Sequence, residues 1–372
     1  MRLFNLIILL GALQINTPHA LKASNGNLPD NMPANEVMFV GAHNAAMSSA
    51  EGWVYAQQSQ DLEGLWKAGV RSAKIPLHWY QPEDPVHPVG LAKKGLSILK
   101  GIVKGKIEPA KPYLALCHEF PANNNCRLTV LQRAGKPPQD SLQFFTRLAK
   151  LMSENPKEVF ILILESYTNQ RSKTNGAAQY SDADARQILQ ADLEKSGLAR
   201  FAYKLTASQS TQNASWPTLG DLRKQQKRVI IFTTNMQDVE GSSYLNPLHS
   251  FFRSTHWETA KIENCGMADD HTPAGLFHMG VGPEASIPHD SVLGKGLKMI
   301  NKIKNTGIVQ QSDYAKVNSK EEILKRIEKC HAVQPDAKHP NIISGDYVEK
   351  GDMKNVINDF NAKHAEKYTN KK

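Results

Sequence analysis

Short apolar runs alternate with longer amphipathic stretches from about residue 37 to the end of the chain, the order that a parallel sheet wound with helices produces. The apolar runs predict strands at Val37–Gly41, Ser72–Leu77, Tyr113–Cys117, Val159–Glu165, Arg228–Thr234, Leu276–Gly280 and Asn341–Asp346, with a weak one near Ala202. Eight strands of this kind make a (β/α)8 barrel of the TIM type in a single domain. The stretches between them predict helices at Asp61–Ala68, Ser141–Glu154, Asp182–Ser196, Leu219–Lys224, Ser319–Cys330 and Met353–His364. Ser181 and Ser319 stand where a side chain can cap a helix start, and Gly69 and Gly197 where a left-handed residue ends one. No repeat of fixed period is present. The stretches 91–111 and 236–272 read as irregular.

The first residues carry Arg2, then the apolar run Leu3–Leu13, then small and polar positions, the layout of a secretory signal peptide. Residues 1–23 are therefore expected to be removed, 24–36 to lead in, 37–363 to form the barrel with an insert at 80–111, and 364–372 to be a basic tail. The protein is expected to be secreted, periplasmic or extracellular. Four cysteines in an exported chain imply disulfides. Cys117 with Cys126 and Cys265 with Cys330 is the preferred pairing of the three that four cysteines allow. A net charge of +9 favours anionic partners. No zinc-finger, helix-turn-helix or RNA-binding aromatic signature accompanies it, so nucleic acid is not an expected partner.

Barrel chemistry sits at the carboxyl ends of strands, and polar residues end several of the predicted ones. His43 and Asn44 follow the first strand, Lys74 lies on the second, His118 ends the third, Glu165 the fourth and Asp346 the last. Tyr113–Cys117 is the third strand in order, so His43 and His118 stand at the ends of alternate strands and face one space. The last strand closes beside the first, which puts Asp346 in reach of His43, where a carboxylate fixes the imidazole tautomer. His78 falls on the face of Lys74 if the second strand continues, and His278 lies in the seventh strand. Both are candidates for a substrate pocket. In 91–106, LAKKGLSILKGIVKGK, apolar positions and lysines fall on opposite halves of a helical wheel, as in a surface helix whose apolar side packs against the barrel or in one that lies on an anionic membrane surface.

The same segments carry a family likeness. VGAHNAAMSS, LWKAGVRSAKI, LCHEF, NPKEVFILILES, WPTLGDLRKQQKRVIIFT and NIISGDYVEKGD, in that order, resemble the successive motifs of the phosphatidylinositol-specific phospholipase C X-domain superfamily, especially its plant and microbial phospholipase-like branch. The resemblance implies a phosphoric diester hydrolase in which His43 is the general base toward an attacking hydroxyl and His118 the general acid toward the leaving oxygen. On an inositol lipid the attacking hydroxyl belongs to the substrate, so a cyclic phosphate forms first. Calcium-dependent members hold a metal with an Asn after the first histidine, acids on strand two and a Glu on strand four. Asn44 and Glu165 match, but Lys74 and Pro76 stand in place of the strand-two acids. The expectation is thus no cofactor, with calcium disfavoured: Lys74, held by Glu165, stabilises charge on the phosphate, and Asn44 and Glu165 line the substrate site. A phospholipid or another phosphodiester is the expected substrate. The alternatives are a lipid-binding or interaction module that has lost catalysis, and a glycerophosphodiester phosphodiesterase, which needs an acidic pair near the first histidine that this chain lacks.

Overall fold

The computed structural model describes residues 25–53, 56–80, 111–117, 126, 133, 136–168, 182–211, 213–255, 276–281, 311–333 and 339–369. Its sheet has ten strands: β1 (Phe39–Ala42), β2 (Ser72–Tyr80), β3 (Tyr113–Leu116), β4 (Gln139–Asp140), β5 (Phe160–Ser166), β6 (Val229–Thr233), β7 (Leu245–Pro247), β8 (Phe252–Ser254), β9 (Leu276–Val281) and β10 (Ile342–Gly345). Eight of them follow one path, β7-β6-β5-β2-β1-β10-β9-β8, and every neighbour on it is parallel. The path's two ends, β7 and β8, are joined by the four-residue helix Leu248–Phe251. One helical turn spans about 6 Å, so the sheet curls round until its edge strands are neighbours in the chain. Among the described residues no ladder joins them. The fold is a TIM-type barrel with this seam.

Side-chain parity divides the sheet into two layers. Val40, Ala42, Ile75, Leu77, Leu162, Leu164, Val229, Ile231, Met279 and Ile343 pack outward against the helices. Phe39, Ile161, Ile163, Ile230, Phe232, Phe252, Leu276 and Ile342 form the inner cluster. Because successive strand residues face opposite sides, the inner parity continues upward to His43, Lys74, Glu165, His278, Ser344 and Asp346. Apolar packing thus fills the lower barrel and leaves ionisable groups at the carboxyl-end mouth. The amino-end mouth is closed by the lead-in: Met32 and Ala34 join the inner cluster with Trp216, Leu219 and Leu222, and Leu219 N donates to Met32 O at 2.9 Å. Arg71 sits at this lower end of β2, bonded to Glu158 at 3.0 Å and lying over the Trp66 ring.

Three expectations are corrected. Tyr113–Cys117 is not a barrel strand: β3 pairs antiparallel with Leu77–Tyr80, the overhang of the nine-residue β2, while β2 itself pairs directly with β5. Leu114, Ala115 and Leu116 are fully buried, and an apolar run covered on both sides has the same pattern in either direction. The weak strand near Ala202 is one isolated parallel bridge to Val229. The two missing barrel strands are β7 and β8, three residues each, inside the stretch read as irregular.

Caps fall largely as expected. Gly69 and Gly197 have φ of 97° and 75°, and Glu322 N donates to Ser319 Oγ at 3.4 Å; Ser181 lies outside the described residues. The last helix, Met353–Thr369, continues through most of the stretch read as a tail, because Ala365 is buried and His364 bonds back to Glu36. Cys117 and Cys126 form a disulfide with a Cα separation of 5.7 Å. Cys330 is also disulfide-bonded; its expected partner, Cys265, lies outside the described residues, as do 1–23 and the amphipathic stretch 91–106. No helix among the described residues is long and apolar enough to cross a membrane.

Candidate active site

β1 ends at Ala42 and β10 at Gly345, paired in register, so the next residue of each, His43 and Asp346, emerge side by side. His43 Nδ1 lies 2.9 Å from Asp346 Oδ1, with both side chains buried. A carboxylate accepts from Nδ1–H, which places the ring's lone pair on Nε2. Burial pushes the Asp346 carboxyl well above the usual range, and the nearby Lys74 ammonium opposes that shift.

The residues after the pair, Asn44 and Tyr347, both have φ of 47°, a left-handed conformation uncommon outside glycine that turns each chain away from its strand. Gln58 straps the two strand ends, its Nε2 donating to His43 O at 2.7 Å and Gly345 O at 3.0 Å. Asn318 Nδ2 donates to Asp346 O and Tyr347 O.

Across the mouth, Lys74 Nζ lies 3.0 Å from Glu165 Oε1. β2 and β5 pair so that Lys74 is level with Ile163 and Pro76 with Glu165, a one-step stagger that a lysine spans. Tyr167 also bonds Glu165, and burial with that neighbouring carboxylate raises its phenol. His278 is buried between β8 and β10 and bonds Ser344 Oγ. Burial and the Lys74 charge push its imidazole down to about 3, so it is neutral at physiological pH. His78 is buried and stacks on Tyr167 at 4.6 Å. His43, Asp346, Lys74, Glu165 and His278 therefore share one mouth. His118 lies outside the described residues, and the alternate-strand argument for its position falls with the reassignment of Tyr113–Leu116.

A PI-PLC X family model (PI-PLC X 1) matches residues 138–361, more than half of the chain. The chain belongs to the PI-PLC X family. The PI-PLC X match contains Glu165, His278 and Asp346 and begins downstream of His43, Asn44 and Lys74. Among solved structures, the chain is similar to a phosphatidylinositol-specific phospholipase C from Listeria monocytogenes at 12% identity and TM-score 0.38, covering 90% of this chain and 96% of that one. It is also similar to a mutant of the phosphatidylinositol-specific phospholipase C from Staphylococcus aureus, at 10% identity and TM-score 0.46, covering 90% and 97%. No curated protein matches by sequence.

At the positions where the motif resemblance places calcium ligands, the mouth holds Asn44, Lys74, Pro76 and Glu165. Calcium takes six to eight oxygens at about 2.3–2.6 Å. Here the Glu165 carboxylate already holds the Lys74 ammonium, β2 adds Pro76, and Asn44 donates its Nδ2 to Gln57 Oε1 at 2.7 Å. Asn44 Oδ1, buried without a hydrogen-bond partner among the described residues, is one neutral oxygen.

Proposed function

We propose that this PI-PLC X family member is an exported phospholipase C-like phosphodiesterase that works without calcium. The observation that carries the reading is the meeting of a His43–Asp346 pair and a Lys74–Glu165 pair at one barrel mouth. Asp346 keeps the His43 proton on Nδ1, so Nε2 takes the proton of the attacking hydroxyl. The Lys74 ammonium, aimed by Glu165, offsets the charge that builds on the phosphate oxygens; such fixed charge in a water-poor site is usually the largest contribution to rate. The conjugate acid that protonates the leaving oxygen is assigned to His118, through the motif likeness of LCHEF. Neutral His278, with Ser344, and His78, with Tyr167, border the pocket as headgroup contacts. Export is supported by the Cys117–Cys126 disulfide, which persists in oxidising compartments.

The test is a panel of phosphodiesters, phosphatidylinositol and glycerophosphoinositol included, followed by phosphorus NMR with chelator and with added calcium. A cyclic phosphate formed equally in both conditions is the expected product. Strict dependence on calcium, or free glycerol phosphate as the first product, overturns the reading. Loss of cleavage in both His43→Ala and His118→Ala is expected.

A further inference from the structure

At the opposite, amino-end mouth a second constellation is unused by this chemistry. Glu36 ends the short helix Ala34–Glu36 that leads into β1, His339 precedes β10, and His364 lies on the last helix. Their ligand atoms lie within 4.8 Å of one another. His364 Nε2 is 2.5 Å from Glu36 Oε2, with side-chain exposures of 12% and 19%. The imidazoles of His339 and His364 stand 4.9 Å apart, and Phe360 packs on both, at 4.5 and 5.4 Å. Glu36 and His43 are seven residues apart on nearly extended chain, so the cluster is on the order of 20 Å from the candidate active site.

An ion pair needs only Glu36 and His364. A second imidazole against the first adds repulsion whenever both are protonated, whereas two neutral imidazoles and one carboxylate leave a single negative charge for a dication to meet. That donor set suits zinc rather than calcium or magnesium, which prefer all-oxygen sites. Three ligands at about 2.0–2.2 Å from zinc lie about 3.4 Å from one another. The Glu36–His364 contact would open by about 0.9 Å, and the other ligand atoms would draw in by at most about 1.4 Å. Lys367 Nζ, 3.4 Å from His364 Nδ1, is an opposing charge, and it sits on a long, exposed side chain that can swing away.

We propose that Glu36, His339 and His364 bind one zinc ion that pins the lead-in and the last helix to the base of β1 and β10. Binding displaces the proton shared by Glu36 and His364, and a water completes the tetrahedron. The base of a barrel is where stability rather than catalysis is built, so the ion is structural.

The experiment uses the mature chain without a histidine tag, stripped with chelator. It is titrated with zinc by calorimetry and with cobalt by visible absorption, and its thermal midpoint is followed with and without zinc. One zinc per chain, tetrahedral cobalt bands and a midpoint raised by zinc are expected. Glu36→Gln, which keeps a hydrogen bond to His364, and the double change His339→Ala with His364→Ala are each expected to weaken zinc at least about 10-fold, as loss of a ligand does. His43→Ala is expected to bind as the parent does. Failure of the parent chain to bind zinc at micromolar concentration overturns the proposal. So does binding that survives Glu36→Gln unchanged, or binding lost in His43→Ala, which would place the ion at the other mouth. Because the parent titration needs no variant, misfolding of the double variant leaves the test decisive.

Discussion

His43 Nδ1 and Asp346 Oδ1 stand 2.9 Å apart although 303 residues separate them, because β1 and β10 are register partners and each contributes the first residue past its strand. On the proposed reading Asp346 is a positioning residue: it selects the tautomer and balances the charge that His43 acquires in the reaction. Asp346→Asn keeps the shape but favours the wrong tautomer. Turnover is expected to fall by about 10²–10⁴ with KM little changed, and the pH–rate profile to lose or shift its acidic limb. A parallel rise in KM with an unshifted profile would mean that the pair only supports the fold.

The Lys74–Glu165 pair predicts a division between charge and geometry. Lys74→Met removes the ammonium and leaves Glu165 facing the phosphate, so the rate constant is expected to drop by about 10²–10³. Lys74→Arg should retain part of it, because the charge survives although the planar fork does not fit the same space. Added calcium should not rescue Lys74→Met, since Pro76 and Asn44 supply too few oxygens. Steady-state kinetics of the three proteins, with and without calcium, decide the matter; rescue by calcium would show that the lysine stands in a working metal site.

Part of the candidate site is legible in the sequence because an ionisable residue in or at the end of an apolar strand is a conspicuous break in pattern: His43, Glu165 and Asp346 stand at strand ends, and Lys74 lies on the second strand. Gln57, Gln58 and Asn318 are not legible in this way. They are polar residues in turns, and a polar turn looks the same whether its side chains meet water or strap two strand ends, as Gln58 does. The barrel's existence followed from the alternation of elements, but its wall was assigned two wrong members, Tyr113–Cys117 and the weak strand near Ala202. Tyr113–Leu116 has the composition of a barrel strand and pairs with an overhang, whereas β7 and β8, three residues each and one ending in Pro247, are too short to show a period. The error mattered, because the expected convergence of His118 on His43 depended on it.

Gly41 marks a close approach in the wall beneath the site. A Cβ built there would lie 2.7 Å from Ser344 Cβ and 2.8 Å from Ile342 Cγ2, and those neighbours are inner-face residues of the strand that carries Asp346. Gly41→Ala is expected to destabilise by about 1–3 kcal/mol, as overpacking does. It should also reduce activity, by spreading β1 from β10 and lengthening the His43–Asp346 bond. Chemical denaturation together with kinetics under stabilising conditions checks both effects. A variant that is as stable as the parent would show that the strands give way at no cost.

His278 predicts an acid limb of stability. Its imidazole titrates near 6.5 when unfolded and is pushed down to about 3 by burial and the Lys74 charge. Between those values the unfolded chain binds a proton that the folded chain refuses, so stability falls as pH falls from about 6.5 toward 3, and is fully present above 6.5. Asp346 acts with the opposite sign: its raised value favours the folded state at low pH, and that contribution fades as pH rises through the folded value. In the window from about pH 5 to 6.5 the Asp346 contribution is common to the parent and to a His278 variant, so the difference between the two proteins isolates the histidine. His278→Gln, which can keep a bond to Ser344, is expected to gain stability relative to the parent as pH falls across that window. Equal slopes in the two proteins would show that the ring takes up its proton in the folded barrel, and that Lys74 is too far away, or too well balanced by Glu165, to oppose it.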